Sequence, residues 1–322
     1  MSAVRWAILS TAKINAALLG GARETSAVEV VAVGSRDRER GEAFAAEHGI
    51  GRVHGSYDEL LADDEVEAVY IPLPNSMHLP WAERALEAGK HVLCEKPLSA
   101  HPERVEAAFD VAERSGRLLM EAFMWRFHPQ TELVSRAVAD GTVGAVRTIR
   151  AAFGFSLPDL GNVRWSGELE GGALMDVGCY CVSAARLVAG EPVAVTGQQV
   201  TGEVDVRFTG TLRFANDLLA HFDCGVDTAD RAEVEVVGSE GTLLLRDPFH
   251  SLEPVIEVRA ADGSVERVEV ERDNPYACEL RDFAAAVAGE RSPRLGREDA
   301  VGQARAIAAL YESAASGARV EL

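Results

Sequence analysis

Residues 90–97 read KHVLCEKP, a short apolar run that passes without a gap into a carboxylate, an amine and a proline. The apolar residues 92–94 suit a strand that is buried on both faces of a parallel sheet. In open α/β sheets, ligands bind in the crevice beyond the carboxyl ends of the strands. We therefore expect Glu95 and Lys96 to emerge beside a ligand.

Lys96 is the first candidate for a chemical role. Pro97 restricts it to extended backbone geometry and lacks an N–H, which makes a stiff corner with either a cis or a trans peptide. A lysine that is flanked by Glu95 and partly desolvated can exchange a proton near neutral pH. The alternative is a surface turn with a solvated ion pair, since structural ion pairs also occur at strand ends.

The composition bounds the class of protein. A length of 322 residues suggests two domains, and 47% hydrophobic with 26% charged residues is typical of a globular chain. The net charge of −19 argues against nucleic acid as a partner, because surplus carboxylates repel a phosphate backbone. The sequence lacks a membrane-length apolar segment and a signal-peptide layout in its first 25 residues, so we expect a cytoplasmic protein with no membrane partner.

Neither a metal site nor a disulfide framework is expected. The five cysteines are odd in number and contain no C-x-x-C pair, and the histidines lack the H-E-x-x-H spacing. Buried, reduced thiols are the simpler interpretation.

The first 33 residues predict a βαβ unit. Residues 4–9 are a strand-like apolar run, residues 10–12 a turn of small residues, residues 14–21 helical in character and residues 28–33 a second strand. In a dinucleotide fold this turn and the helix N-terminus receive the pyrophosphate. Ala7, Ser10 and Ala12 stand where glycines are usual, so an ordinary βαβ unit remains the alternative.

The end of the second strand bears on the choice of cofactor. NAD enzymes usually carry an acidic side chain there, whereas a basic one accommodates a 2′-phosphate. Ser35 and Arg36 come first, and Arg40 follows closely. Guanidinium matches phosphate bidentately, so we favour NADP(H) over NAD(H), with Asp37 as the reservation. A solvated helix face is the alternative and explains Arg40 better than Arg36.

Two further stretches suit a binding site. Residues 66–73 predict a strand that ends in Pro72, Leu73 and Pro74, a rigid lip for the nicotinamide ribose. Residues 123–129 mix aromatic residues with Arg126, which suits a sugar or, alternatively, an interdomain packing helix.

The second half begins with a loop that opens into a helix. Gly171 and Gly172 precede a helical stretch in which Asp176 and Tyr180 are four residues apart and share one face. This spacing lets a carboxylate and a phenol converge on a substrate hydroxyl beside Lys96. The alternative is a core helix in which Tyr180 packs and Asp176 caps or is solvated.

The remainder is rich in strands. Residues 204–270 contain six strand-like stretches separated by turns, which predicts an open sheet. We expect helices at residues 172–189, 276–288 and 298–316 to cover one face. The other face needs a partner if it is apolar.

Several blocks together make the chain resemble the Gfo/Idh/MocA oxidoreductase family. The matching blocks are residues 88–92, Glu95-Lys96-Pro97, Pro72-Leu73-Pro74-Asn75 with His78, residues 121–129 and residues 171–180. The resemblance implies a Rossmann domain over residues 1–121, an α+β domain with a mainly antiparallel sheet over residues 122–322, and association into homodimers or homotetramers through that sheet. With tyrosine at position 180, the chain resembles glucose-fructose oxidoreductase, dimeric dihydrodiol dehydrogenase, NADP-dependent xylose dehydrogenase and nucleotide-sugar 3-ketoreductases, whereas other members carry histidine there.

The expected function is hydride transfer between NADP(H) and a sugar or polyol carbon, most simply by an aldose 1-dehydrogenase of the xylose or glucose kind. A nucleotide-sugar 3-ketoreductase and a non-catalytic nucleotide-sensing protein remain the alternatives. By resemblance, Lys96 and Tyr180 are catalytic and Asp176 orients them. The expected cofactor contacts are Ser10, Thr11, Ala12, Ile14, Ser35, Arg36, Arg40, Pro72, Leu73, Asn75, His78, Glu95, Lys96, Arg126, Arg164 and Trp165, the last two on a loop that closes over the nicotinamide.

Overall fold

The computed structural model describes residues 3–322. The chain divides into two compact units: the chain up to Phe127 together with Asn274–Val301, and His128–Asp273 together with Gly302–Leu322. The chain first passes from one unit to the other after Phe127, near the expected boundary at residue 121. Residues 274–301 belong to the first unit again, which the expected division does not contain.

The first unit is built on a six-stranded sheet. Its strands are β1 (Val4–Leu9), β2 (Val28–Gly34), β3 (Arg52–His54), β4 (Ala68–Ile71), β5 (His91–Glu95) and β6 (Leu119–Ala122). Its first five helices are α1 (Asn15–Arg23), α2 (Arg38–His48), α3 (Tyr57–Leu61), α4 (His78–Glu87) and α5 (Pro102–Ser115). Every strand pairing is parallel, and the strand order is β3-β2-β1-β4-β5-β6.

This topology places the predicted chemistry at one edge of the sheet. The strand order reverses between β1 and β4, which is where open α/β sheets bind ligands beyond their carboxyl ends. Ser10 follows β1, Ser35 follows β2, Pro72 follows β4 and Lys96 follows β5. The Rossmann fold predicted from the sequence is confirmed.

The second unit contains a nine-stranded mixed sheet. Its strands are β7 (Val146–Ser156), β8 (Ala194–Thr201), β9 (Asp205–Arg213), β10 (Leu219–Gly225), β11 (Asp227–Gly238), β12 (Gly241–Leu245), β13 (Val255–Ala260), β14 (Val265–Glu269) and β15 (Val320–Glu321). The order is β14-β13-β12-β11-β7-β10-β9-β8-β15, and β7 with β10 is the parallel pair in an otherwise antiparallel sheet. The helices α6 (Pro129–Ala139) and α7 (Cys179–Ala189) also belong to this unit.

The two faces of this sheet differ in polarity. Along β9, Phe208 and Leu212 point into the core, while Arg207 and the residues that alternate with them are exposed. The exposed side carries cross-strand ion pairs, such as Arg150 Nη1–Glu235 Oε2 at 3.2 Å. Along these strands, the exposed face is therefore polar and charged.

The two closing helices, α8 (Pro275–Val287) and α9 (Arg297–Ser316), do not act as a pair. We expected both to cover the second sheet, but α8 packs in the first unit. Its Phe283 lies against Trp6 of β1, with ring centroids 4.8 Å apart. Gly21 makes the contact with α1 possible, because a Cβ there would lie 2.6 Å from Tyr276 Cβ and 2.7 Å from Ala277 N.

Among residues 3–322, no helix is both long and apolar enough to cross a membrane. All five cysteines are buried and none forms a disulfide.

The contact between α1 and α8 generates a matched test on neighbouring glycines. Gly21→Ala should destabilise the chain by about 1–3 kcal/mol, because the added methyl group meets backbone atoms of α8. Gly20→Ala meets nothing within 4 Å and should stabilise the chain by about 0.5–1 kcal/mol through helix propensity. Thermal unfolding of both variants gives the comparison. Melting temperatures that move in the same direction would contradict this packing.

Candidate functional site

The corner after β5 is fixed by side chains that are distant in sequence. Lys96 is half-buried, and its peptide bond to Pro97 is cis. His78 Nδ1 lies 2.8 Å from the carbonyl oxygen of Pro97. The buried carboxylate of Glu121, on the neighbouring strand β6, accepts a hydrogen bond of 2.9 Å from the backbone N–H of Leu98. The backbone on the C-terminal side of Lys96 is therefore held from two directions.

His78 joins this corner to the lip after β4. Its other ring nitrogen, Nε2, lies 2.7 Å from the carbonyl oxygen of Leu73. Burial lowers the pKa of His78 to about 4, and the charge of Lys96 acts in the same direction, whereas the two carbonyl oxygens oppose the shift. The ring is 1% exposed, and both of its nitrogens face backbone. In this unit, His78 connects Leu73 to Pro97 instead of offering an open polar atom.

Glu95 has its own buried support. The phenol of Tyr70 donates a hydrogen bond of 2.6 Å to Glu95 Oε1, and the Lys96 backbone N–H donates one of 3.2 Å to Glu95 Oε2. Tyr70 is fully buried, and burial raises its pKa well above the usual value, with the Glu95 charge adding to the shift. Glu279 of α8 is 1% exposed, and burial raises its pKa well above the usual value, with Glu95 and Asp282 adding to the shift.

The other predicted cofactor contacts near β4 and β6 are Pro72, Leu73, Asn75 and Arg126. Pro72 and Leu73 are buried, and Asn75 begins a short 3-10 turn, Asn75–Met77, with its side chain half-buried. Arg126 Nη1 lies 3.4 Å from Asp299 Oδ1, and its side chain is mostly buried. Arg126 thus has an acidic partner within the first unit.

The turn after β1 is tight. Ser10 has a positive φ of 106°, and its backbone N–H donates to the carbonyl of Gly34 on β2 at 2.9 Å. Thr11 and Ala12 are half-buried, and Ile14 is 36% exposed. Ala7 lies inside β1, opposite Ala32, so it is not part of the turn.

The basic residues after β2 gather around a phenol. Arg36 and Arg40 are exposed, whereas Ser35 is buried and its hydroxyl donates to the Asp37 carbonyl at 2.6 Å. Burial raises the pKa of Tyr57 on α3, while hydrogen bonding to Arg36 and the charges of Arg36 and Arg40 lower it. Tyr57, which the sequence analysis did not select, therefore lies beside both guanidinium groups.

Asp37 has a structural role, which explains an acidic residue at this position without a contact to the cofactor ribose. Its carboxylate accepts a hydrogen bond of 3.1 Å from the backbone N–H of Arg40 and caps the N-terminus of α2.

In the second unit, Asp176 and Tyr180 are carried by a helix of mixed geometry. Residues Leu174–Gly178 form a π-helical turn, and α7 continues from Cys179. The first part of the predicted helix is therefore π-helical and not α-helical. A π-turn closes its hydrogen bonds over five residues instead of four and is often found at functional sites. Gly178 permits this turn, because a Cβ there would lie 2.7 Å from Cys224 Sγ.

The glycine pair before this turn allows two other elements to approach it. Gly171 leaves room for the backbone of Arg164, and the Gly172 N–H donates to the Arg164 carbonyl at 3.0 Å. Gly172 also has a positive φ of 112° and lies against the carboxylate of Asp205. Larger residues at either position would displace these neighbours.

Arg164 contacts Asp176 directly. Its Nε donates to Asp176 Oδ2 at 2.6 Å, while its backbone N–H is capped by Asn162 Oδ1 at 3.1 Å. Trp165 is half-buried, and among residues 3–322 its indole Nε1 has no hydrogen-bond partner. The loop therefore orients Asp176, the carboxylate predicted to bind substrate.

Tyr180 lies in an aromatic wall. Its ring centroid is 5.3 Å from that of Phe153 on β7 and 5.2 Å from that of Phe249, and the latter two rings stack at 5.0 Å. Phe153 and Phe249 were not predicted, because their proximity to Tyr180 depends on the tertiary fold. Phe153 lies in β7, where alternation indicates burial only, and Phe249 lies in the turn that follows β12.

Asp205 is a further residue that the sequence analysis missed. Its carboxylate accepts hydrogen bonds from the Leu174 backbone N–H at 2.7 Å and from the Tyr311 hydroxyl at 2.9 Å. Burial raises the pKa of Asp205 to about 6, although both hydrogen bonds lower it. A buried acid thus anchors the start of the segment that carries Asp176 and Tyr180.

No group of three His, Cys, Asp or Glu side chains in the described part of the chain is arranged to hold a metal ion. Several features suit a dinucleotide. The parallel sheet reverses its order beside the turn at Ser10, the N-terminus of α1 follows that turn, and two exposed arginines follow β2. These residues fit a phosphorylated dinucleotide.

Comparison with known proteins agrees with this arrangement. Residues 4–123 match the family model described as an oxidoreductase family with an NAD-binding Rossmann fold, and residues 131–244 match the GFO/IDH/MocA C-terminal domain. The chain is 42% identical over 322 residues to D-xylose 1-dehydrogenase (NADP(+)) 2 of Haloferax volcanii, with 98% of each chain covered.

Two solved structures are similar over nearly the whole chain. One is an aldose-aldose oxidoreductase from Caulobacter crescentus complexed with glycerol, with a TM-score of 0.93 and 28% identity over 99% of this chain and 100% of that one. The other is a 3-ketoreductase from Actinomadura kijaniata in complex with NADP and TDP-benzene, with a TM-score of 0.90 and 32% identity over 97% and 98%.

The buried position of Asp205 predicts a specific pH dependence of stability. Its pKa is about 6 in the folded chain and near 3.8 when unfolded, so the folded state binds the proton more tightly and its stability falls as pH rises through this window. Asp205→Asn stays neutral, so relative to the wild type it should gain up to about 3 kcal/mol between pH 4 and pH 7. Urea unfolding of both proteins across this range measures the difference. A difference that does not change with pH would contradict the assignment.

Proposed function

Because the chain belongs to the Gfo/Idh/MocA family of oxidoreductases, we propose that it transfers a hydride between NADP(H) and a sugar or polyol carbon. Within that class we propose an aldose 1-dehydrogenase of the xylose or glucose kind. The observation that carries this choice is the 42% identity to the NADP-dependent D-xylose 1-dehydrogenase over 98% of both chains.

The choice of NADP(H) is supported by the residues after β2. Arg36 and Arg40 are exposed beside Tyr57, where they can hold a 2′-phosphate bidentately. The acidic side chain that follows Arg36, Asp37, is engaged in capping α2 and is not required to accept hydrogen bonds from a ribose.

The proposed chemistry assigns a separate role to each catalytic side chain. When bound, NADP(H) supplies the nicotinamide carbon that accepts or donates the hydride. As the substrate carbinol is oxidised, the hydroxyl proton passes to Tyr180, which acts as general base in this direction and as general acid in reduction. Lys96 serves as a second proton-transfer group, and Asp176 accepts hydrogen bonds from substrate hydroxyls.

Contacts within each unit support these roles. The corner that carries Lys96 is immobilised by His78 and Glu121, and Asp176 is oriented by Arg164 at 2.6 Å. Tyr180 is backed by the rings of Phe153 and Phe249, which supply an apolar wall for the C–H face of a sugar.

A nucleotide-sugar 3-ketoreductase is the second candidate. It is favoured by the similarity to the Actinomadura kijaniata enzyme over 97% of this chain. A non-catalytic nucleotide-sensing protein is a third, but a pure binder has no need to keep Lys96, Asp176 and Tyr180 together. Absorbance of reduced nicotinamide with a panel of substrates separates the three. Oxidation of free aldoses supports our proposal, action on nucleotide-linked ketosugars alone supports the second, and no turnover supports the third.

We also propose that the chain associates into homodimers or homotetramers through the exposed face of the second sheet. The charged residues on that face occur in both signs, so a second copy could meet it with complementary charges. Light scattering at low and high salt would test this association.

The first catalytic prediction concerns the phenol. Tyr180→Phe removes the proton acceptor but keeps the ring that packs against Phe153 and Phe249. We expect kcat to fall by about 100-fold or more, with little change in the dissociation constant for NADPH. Steady-state kinetics and nicotinamide fluorescence give the two quantities. An unchanged kcat would remove Tyr180 from the mechanism.

The second prediction concerns cofactor choice. Arg36→Ala should raise the dissociation constant for NADPH by about tenfold or more and leave that for NADH nearly unchanged, because only NADPH carries the 2′-phosphate. Arg38→Ala is the matched control, since Arg38 is exposed on α2 and pairs with Glu42 at 3.0 Å. If both variants weaken NADPH equally, the effect is general electrostatics and Arg36 is not the phosphate ligand.

A further inference from the structure

Ser10 adopts a backbone conformation that residues with a side chain rarely adopt. Its φ is +106°, in the region where glycine is favoured. It lies directly after β1, in the turn that leads to α1. Because a serine has no intrinsic preference for this conformation, the surrounding structure must hold it.

Asn15 supplies that hold. Its Nδ2 donates a hydrogen bond of 2.9 Å to the carbonyl oxygen of Ser10, across the turn. Its backbone N–H donates to the Ala12 carbonyl at 3.1 Å, and the Ala12 N–H is 3.3 Å from Ser10 Oγ. Both the side chain and the backbone N–H of Asn15 therefore form hydrogen bonds within this turn.

The other end of the same carboxamide has no partner in the described part of the chain. Asn15 is 0% exposed, and among residues 3–322 no donor lies within hydrogen-bond distance of its Oδ1. The amide orientation follows from its other contact, because only its NH₂ group can donate to the Ser10 carbonyl. A buried acceptor without a donor is destabilising, so a carboxamide that serves only to fill the core would be a costly choice here.

The spacing of these residues is that of a glycine fingerprint. Ser10, Ala12 and Asn15 stand at the intervals of G-x-G-x-x-G, in which the third glycine allows the helix to pack closely. In this chain the third position carries Asn15, a buried side chain that forms a hydrogen bond with the turn.

We propose that Ser10 and Asn15 form a coupled pair that replaces two fingerprint glycines, with Asn15 as a positioning residue that keeps the turn ready for the phosphates of the cofactor. This inference rests on the proposed dependence on NADP(H). It predicts that the importance of Asn15 depends on the residue at position 10. A glycine at position 10 adopts the positive φ freely and has less need of the hydrogen bond.

A double-mutant cycle tests the coupling. Asn15→Ala should raise the dissociation constant for NADPH by about tenfold when position 10 is serine, but by less than about threefold in the Ser10→Gly background. Nicotinamide fluorescence measures the constants. Asn216→Ala, the same chemical change in the exposed turn between β9 and β10, should change neither. Equal factors in the two backgrounds would overturn the proposal.

A second readout keeps the test independent of cofactor identity and of poor folding. Asn15→Leu has a similar volume, stays uncharged and lacks the donor. In the absence of cofactor it should lower the melting temperature by about 2–4 °C more when position 10 is serine than in the Ser10→Gly background. Equal decreases would overturn the pair. If the wild-type chain binds no NADPH, the proposed cofactor is refuted. The comparison of melting temperatures still tests the coupling between Ser10 and Asn15 in that case.

Discussion

The candidate site in the first unit depends on the backbone that follows β5, which pairs with no neighbouring strand. After Glu95, the chain leaves the sheet, and its peptide groups must find hydrogen bonds elsewhere. Glu121 supplies one to the N–H of Leu98, and His78 lies against the carbonyl of Pro97. Both side chains are buried, so these contacts are shielded from water and stronger than they would be at the surface. A lysine on such a corner has little freedom to move, which is what a proton-transfer group requires.

In the second unit, a backbone N–H beside the candidate catalytic residues is also bound by a buried carboxylate. A helix start also leaves backbone N–H groups without partners, and a buried carboxylate, Asp205, accepts the one from Leu174. In both units an acid from a neighbouring strand, Glu121 on β6 or Asp205 on β9, satisfies the backbone beside a candidate catalytic segment. Each acid forms its hydrogen bond from another element of secondary structure. The side chains of Lys96 and Asp176 are therefore not needed to hold the adjacent backbone in place.

The sequence predicted what local pattern determines. The apolar runs of β1, β2 and β5 and the corner at Lys96 were placed correctly, because alternation and turn residues report on nearby structure. The return of α8 to the first unit was not predicted, since an amphipathic helix fits either core until Gly21 and Trp6 are seen to receive it. Tyr70, Glu121 and Asp205 were missed for the same reason: each bonds to a group that is distant in sequence. The close approach of Gly178 to Cys224 at the π-turn could not be read from helical periodicity either.

The buried acids of the first unit have different partners, and this difference bears on how the corner at Lys96 is supported. Glu95 accepts hydrogen bonds from the Tyr70 phenol and from the Lys96 backbone N–H. Burial raises the pKa of Glu279 on α8 well above its usual value, and the charges of Glu95 and Asp282 act in the same direction. Bringing α8 and its acid close to Glu95 therefore carries an electrostatic cost, because like charges at short range repel. The two hydrogen bonds to Glu95 offset part of that cost at the residue that directly precedes Lys96.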